Sequence, residues 1–322
     1  MSLKILTTAH YVPQKIVSND DLAQIMDTND EWITSHTGIK TRHFAMNEEN
    51  TSDLATKVGQ KLMTQSHLTK DDIDLIIVST ITPDALTPAT AALVQAKLGL
   101  KKAFSFDISA ACAGFIFGLS TAEKFLRSPK YHNAMVISAE TNSKMMDFKD
   151  RTSAVFFGDG AGGVILTKDD SDSDFFVDEQ INTLAEKNEY IHSGQIAPIQ
   201  GVLANNYPKI DAFYQSGRDV FKFATEIVPV QMQDILTRNN LAQDIDYVIC
   251  HQANLRIIEK ISEKLNLPFS KFITNVETYG NTSSAGIAMA LDQLQKKNPE
   301  TKKVLLTGFG AGLDYASMII KI

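Results

Sequence analysis

The chain has 322 residues, 43% hydrophobic and 21% charged, a size and composition for one large globular domain or two ordinary ones. Its 31 Lys and Arg against 38 Asp and Glu give a net charge of −7, which argues against wholesale wrapping of nucleic acid and leaves room for a local basic patch. Two cysteines, Cys112 and Cys250, exclude a disulfide framework and a Cys-rich zinc module; with no signal-peptide pattern and no apolar run of about 20 residues, a cytoplasmic enzyme without membrane association is expected.

In chain order, the apolar run at 75–78 predicts a buried strand, followed by a helix over 88–98. A second strand is predicted over 103–108, a helix over 111–126 and a third strand over 134–137. Residues 154–157 and 163–167 read as two more strands joined by a Gly-rich turn. This is the rhythm of an α/β protein with a largely parallel sheet. The second half repeats it. Residues 246–250 mirror 74–78, and Ser284-Ala285-Gly286-Ile287 mirrors Cys112-Ala113-Gly114-Phe115, both at an offset of 172 residues. Strands over 304–307 and 316–320 then answer 136–139 and 162–166. One offset shared by separate elements predicts an internal duplication, with the two halves sharing a layer of helices. The stretch 169–216 between them reads as a surface connection with some short strands, or alternatively as a cap over a site. Its acidic run at 169–174 lacks the Gly and terminal Glu of a calcium loop.

Cys112 follows a strand and opens a helix. There the helix dipole and unpaired N–H groups can lower a thiol from about 8.5 into the range of roughly 3.5–7.5. The competing reading is a small buried core residue. His251 follows the strand 246–250, and active groups in open α/β sheets gather beyond the carboxyl ends of strands, so it is the best-placed partner for a catalytic thiol. Cys250 reads as a buried strand residue. Asn281 stands where the duplicated half carries the Cys112 turn; it is either a turn or cap residue, or an amide that donates to a substrate oxygen. The glycines at 158–163 spell a dinucleotide fingerprint, but a strand follows them, so they read as a tight turn and not as an NAD site. Gly308-Phe309-Gly310-Ala311-Gly312 follows a strand and can bring backbone N–H donors close to an oxyanion.

Seven segments in order resemble the β-ketoacyl-acyl carrier protein (ACP) synthase III family: Asp-Thr-Asn-Asp-Glu-Trp-Ile-Thr at 27–34, Thr37-Gly38-Ile39, Ala-Ala-Cys-Ala-Gly-Phe at 110–115, Phe-Gly-Asp-Gly-Ala-Gly at 157–162, His-Gln-Ala-Asn-Leu-Arg at 251–256, Gly-Asn-Thr-Ser at 280–283 and Gly-Phe-Gly-Ala-Gly at 308–312. The resemblance implies an α/β, thiolase-like layered αβαβα fold of two duplicated halves, 1–170 carrying the nucleophile and 171–322 carrying the other catalytic groups. It implies Cys112, His251 and Asn281 as a catalytic triad, with the N–H groups of Cys112 and Ala311 as the oxyanion hole. The activity implied is an acyltransferase: decarboxylative condensation of a short acyl-CoA with malonyl-ACP through an acyl-Cys intermediate, initiating fatty-acid synthesis, without metal, nucleotide or redox cofactor. The absence of a Cys from the 308–312 loop separates the chain from thiolases, and Asn281 in place of a second His separates it from elongating synthases. A thiolase-fold acyltransferase or condensing enzyme of secondary metabolism is the alternative.

By family position, Trp32 and Arg151 sandwich the CoA adenine, and Thr28, Gly217, Phe221, Asn254 and Arg256 line the pantetheine tunnel. His36 stands where many members have Arg, which weakens a phosphate contact and makes it pH-dependent. ACP is acidic, so Lys222, Arg256, Lys260 and Lys264 are the expected docking residues; the last three fall at i, i+4 and i+8 of one helix. Thr87, small, is expected to reach across a homodimer interface into the neighbouring acyl pocket and to leave room beyond acetyl.

Overall fold

The computed structural model describes residues 2–46, 48–169, 174–194, 211–300 and 302–322; most of the acidic run (170–173) and 195–210 of the connection lie outside them. Nine strands form its two main sheets: β1 (Ser2–Tyr11), β2 (Leu75–Ser79), β3 (Phe104–Ile108), β4 (Asn133–Glu140), β5 (Gly160–Asp169), β6 (Phe176–Thr183), β7 (Tyr247–Cys250), β8 (Lys303–Phe309) and β9 (Asp314–Lys321). The first sheet has the order β1-β5-β4-β2-β3, with β4, β2 and β3 parallel. The second has the order β7-β8-β9-β6, with β7 and β8 parallel and the rest antiparallel. Its fifth position is reduced to one bridge, Val248 with Phe272.

The helices that matter for the site are α1 (Asp30–Thr37), α2 (Thr51–Ser66), α3 (Thr90–Leu98), α4 (Gly114–Arg127), α5 (Gly217–Lys222), α6 (Val228–Arg238), α7 (Leu255–Leu265) and α8 (Ala285–Lys297). A wide π turn, Phe223–Ile227, joins α5 to α6. Strand side chains alternate between faces, and the layers follow. Leu75, Ile77, Val136, Val304, Leu306 and Met318 point inward onto Phe115, Leu119, Ile287 and Leu291 of α4 and α8. Ile76, Val78, Met135 and Ile137 point outward onto α2 and α3. Val248, Cys250, Leu305 and Ile319 point outward onto α6 and α7. The result is five layers, αβαβα, with α4 and α8 in the middle. β2 is buried on both faces, which is why it reads as an unbroken apolar run.

The two halves interlock. Val17, Leu22, Ile33, Ile39 and Val155 pack into the core of the second sheet's outer helices. Arg42, fully buried, ties this crossing together: its guanidinium donates to Asn19 Oδ1 (2.8 Å), Val155 O (2.8 Å) and Val17 O (3.4 Å). Burial lowers its pKa to about 10.

Two expectations change. Residues 154–157 are not a strand. Asp150 O accepts from the N–H groups of Ser153 and Ala154, and the Asp150 carboxylate caps Thr152, so the segment folds as turns. Ala154 and Val155 are apolar because the turns themselves are buried. The 158–163 glycines are not a tight turn either. Gly160, Gly162 and Gly163 lie inside β5, where a Cβ on Gly162 would meet Met289 N at 2.7 Å and one on Gly163 would meet Val136 O at 2.6 Å. They let α8 and β4 approach the strand.

Candidate active site

The site forms where the halves cross. Cys112 sits in the 3-10 turn Ala111–Ala113 between β3 and α4, a turn that Ala111 enters with φ of +44°. The Gly308–Gly312 loop of the other half lies directly against it. A Cβ on Gly308 would fall 2.7 Å from Ala113 Cα, and one on Gly310 would fall 2.8 Å from Cys112 N. Only glycine allows that approach.

Asn281 is sewn to the first half in return. Its N–H donates to Phe156 O (2.8 Å), and its carbonyl accepts from Gly158 N (3.0 Å) and the buried Asn142 Nδ2 (3.4 Å). A Cβ on Gly280, at φ +66°, would meet Phe156 O at 2.8 Å, so the chain needs glycine just before Asn281. The side-chain amide is oriented: Oδ1 accepts from Ser283 N at 2.8 Å, which leaves Nδ2 as the free donor.

His251 follows β7, anchored by its own N–H to Thr307 O at 2.7 Å. Its ring meets the edge of Phe309 at 5.2 Å and 80°. Nδ1 is buried and has no partner among the described residues, and burial lowers the pKa to about 3, so the imidazole is neutral. Cys112, His251, Asn281 and Ala311 share the wall of one cavity of about 920 Å³, with Gly217, Phe221 and Asn254 further along it.

The thiol differs from expectation. Burial pushes Cys112 up to about 12; the Ser283 hydrogen bond opposes this, and Glu140 adds to it. Burial is the largest influence, and the Ser283 and backbone hydrogen bonds that favour the thiolate only partly offset it. Cys112 Sγ contacts Ser283 Oγ at 3.4 Å. Cys250, on the outward face of β7, is buried in the core and its thiol is pushed up by burial alone.

Glu140 was not anticipated. It ends β4, fully buried, and accepts from Thr82 Oγ1 (2.7 Å), Ile81 N (3.1 Å), Thr80 Oγ1 (3.1 Å) and Ser284 Oγ (3.1 Å). Burial raises it to about 7 against those hydrogen bonds. The available signal was an acidic residue closing an apolar strand at Val-Ile-Ser-Ala-Glu.

The remaining positions, Asn254 excepted, lie outside the cavity wall. Arg151 sits over the Trp32 ring at 5.4 Å and donates to Asp27 O, while His36 stacks on Trp32 at 4.6 Å. Arg151 and Trp32 are thus paired with each other. Thr28 Oγ1 is buried and has no hydrogen-bond partner among the described residues. Asn254, though on the wall, caps α7 through Arg256 N (2.8 Å) and donates to His36 O (3.1 Å). Arg256, Lys260, Lys264 and Lys222 are exposed, but Glu259 and Glu263 share the exposed side of α7 and Lys260 pairs with Glu263 at 2.5 Å. Thr87 is exposed and precedes a cis proline; Asp84, Ala85 and Leu86 of its loop line the cavity instead.

A five-layer fold with Cys, His and Asn on one cavity at the crossing of two similar halves is that of a thiolase-like condensing enzyme. Residues 106–185 match the family described as 3-oxoacyl-ACP synthase III, and residues 236–322 its C-terminal region. A beta-ketoacyl-ACP synthase III 1 of Lactiplantibacillus plantarum is 60% identical over 320 residues, 99% of this chain and 98% of that one. The synthase III of Lactococcus lactis is 46% identical over 324 residues, covering 99% of each. The crystal structure of 3-oxoacyl-ACP synthase III from Aquifex aeolicus superposes with a TM-score of 0.90 at 37% identity, over 100% of both chains. The chain belongs to the β-ketoacyl-ACP synthase III family, the acyltransferases that carry out the initiating condensation of fatty-acid synthesis.

Proposed function

We propose that Cys112, His251 and Asn281 carry out this condensation between a short acyl-CoA and malonyl-ACP. The observation that supports it best is the oriented Asn281 amide, its acceptor end occupied by Ser283 N–H, on the same cavity wall as a neutral His251 and Cys112.

In the first half-reaction the Cys112 sulfur attacks the acyl-CoA carbonyl. A Cys112–acyl bond forms, the acyl–CoA bond breaks, and the thiol proton ends on the departing CoA sulfur. The N–H groups of Cys112 and Ala311 hold the oxyanion. In the second, malonyl-ACP loses carbon dioxide and the bonding electrons pass into a thioester enolate. Asn281 Nδ2–H and His251 Nε2–H donate to its oxygen; this tautomer leaves the buried Nδ1 as a bare lone pair. Two neutral donors in a water-poor cavity stabilise the enolate without first having to give up a charge. The enolate carbon attacks acyl-Cys112, the carbon–sulfur bond breaks, 3-oxoacyl-ACP leaves, and the sulfur regains a proton from solvent. Decarboxylation supplies the driving force, so the scheme uses no metal or redox cofactor.

Trp32 and Arg151 are the proposed adenine contacts. Opening their mutual stack, with Asp27 releasing Arg151, is then part of binding. Gly217, Phe221 and Asn254 on the cavity wall, with Thr28 and Arg256 off it, are the proposed pantetheine contacts. Lys222, Arg256, Lys260 and Lys264 are the candidates to meet ACP, Lys260 exchanging its exposed partner Glu263 for the acidic carrier. A cytoplasmic homodimer with Thr87 at the neighbouring pocket completes the reading.

The test is Cys112→Ala incubated with radiolabelled acetyl-CoA, followed by mass spectrometry of products formed with malonyl-ACP. No label on the variant and a 3-oxoacyl product from the parent chain are expected. Equal label on the variant rejects Cys112 as nucleophile, and absence of carbon dioxide release rejects the condensation.

A further inference from the structure

Ser283 touches two of the three groups just described. Its Oγ lies 3.4 Å from Cys112 Sγ, and its N–H fixes the Asn281 amide at 2.8 Å. It is completely buried, and its backbone is left-handed, φ +53°. That conformation is uncommon for a residue with a side chain, and where it persists it tends to be held by the surroundings at functional sites. Glycine or asparagine would sit there with less strain. A serine instead puts a hydroxyl against the sulfur while the same turn aims the N–H at Asn281.

We infer that Ser283 is a catalytic residue of the acyl-transfer steps, its hydroxyl donating to the Cys112 sulfur whenever that sulfur carries negative charge. The charge appears twice. As the sulfur gives up its proton and bonds the acyl carbon, the hydroxyl offsets part of the cost of ionising in a buried pocket. When the new carbon–carbon bond forms and the acyl–sulfur bond breaks, the expelled thiolate rests against the same hydroxyl until it takes up a proton. A hydrogen bond to a charged acceptor is stronger than one to a neutral acceptor, so the contact favours the thiolate over the thiol. Among the described residues the hydrogen bond made by Sγ is to Ser283, and this bond pulls the thiol pKa down against burial.

The inference rests on Cys112 as the nucleophile. The experiment is alkylation of Cys112 by iodoacetamide across about pH 6 to 10, mapped to the residue by mass spectrometry, in the parent chain, Ser283→Ala and Ser283→Gly. Both variants lack the hydroxyl, but only glycine suits the left-handed backbone, so it also serves if the alanine variant does not fold. Both are expected to react roughly tenfold more slowly at a given pH, with the profile moved up by about one unit, and with the KM for acyl-CoA unchanged. Parent-like alkylation in both, or slowing in the alanine variant alone, overturns the role of the hydroxyl. Acyl label on a residue other than Cys112 overturns the nucleophile and this inference together, whereas unaltered alkylation of a labelled Cys112 overturns this inference only.

Discussion

Ser284 Oγ donates to Oε1 of Glu140 at 3.1 Å, and this bond joins the turn that carries Asn281 in one half to the end of β4 in the other. The same carboxylate accepts from Thr80, Ile81 and Thr82, which line the cavity. Glu140 therefore holds a wall of the site and the turn behind it in one network. A buried network of this kind fixes a geometry as long as every donor is satisfied. It also places an ionisable group near Cys112, whose thiol its charge pushes further up.

That placement makes a stability prediction with a definite sign. Burial raises Glu140 from 4.5 to about 7 in the fold. Between those values the folded chain binds a proton that the unfolded chain does not, so this contribution falls as pH rises through that window and is fully lost above it. Asp159, raised to about 6 by burial, adds in the same direction. Burial instead lowers His251 from 6.5 to about 3, so its contribution falls as pH drops below 6.5. The two slopes oppose each other between about 4.5 and 6.5, and the parent chain shows only their sum. Glu140→Gln removes one slope. Its urea midpoint, compared with that of the parent, is expected to gain ground from about pH 5 to 7 and to level off above that. A constant difference across that range would falsify the raised carboxyl.

The close approach of the Gly310 backbone to the Cys112 turn makes a second prediction. An alanine at 310 puts its Cβ 2.8 Å from Cys112 N and 3.0 Å from Ala111 Cβ, and neither is the end of a flexible side chain. The turn must shift, and a displacement of about 1 Å at a reacting group can cost roughly 100-fold in rate. Gly310→Ala is expected to lose about that much acyl transfer. Gly59→Ala is the comparison for general damage to packing, because a Cβ there meets Leu98 Cδ1 at 2.6 Å, away from the Cys112 turn. It should lower the melting temperature while leaving acylation by the folded chain near the parent rate. Single-turnover acylation of the two variants, measured beside their melting curves, decides it; equal rates would show that the 308–312 loop does not set the position of Cys112.

How much of this was legible in the chain depends on how local the information is. The strands at 75–78, 134–137, 246–250 and 304–307 were readable because burial on both faces leaves an uninterrupted apolar run. The same logic misread 154–157, where Ala154 and Val155 are buried by a turn capped through Asp150. Cys112, His251 and Asn281 stood out because each follows a strand or occupies the duplicated copy of such a place. Ser283 and Glu140 did not. Their roles arise from contacts between residues 171 and 144 positions apart, across two halves, and no spacing rule within either half encodes them. The helix terminus at Cys112 was correctly placed, but the pKa it suggested was not, because desolvation depends on the finished cavity.

The separation of roles between sulfur and imidazole makes the last prediction. Among the described residues, Cys112 Sγ is hydrogen bonded to Ser283 and not to His251. If His251 works as a neutral donor to the enolate, removing it should damage decarboxylation far more than acylation. His251→Ala is expected to transfer labelled acetyl to Cys112 within a few-fold of the parent, while malonyl-ACP decarboxylation drops by about 10²–10³, the usual loss for one such donor. The pH dependence tests the same point from another side. Because the imidazole protonates only near pH 3, the parent chain should show no loss of decarboxylation assignable to His251 between pH 5 and 7. A His251 acting as the base for Cys112 gives the opposite pattern. Acylation then fails in the variant, and the parent loses it on the acid side with an apparent pKa close to that of an ordinary histidine. Rapid-quench measurement of the two half-reactions across that range separates the cases.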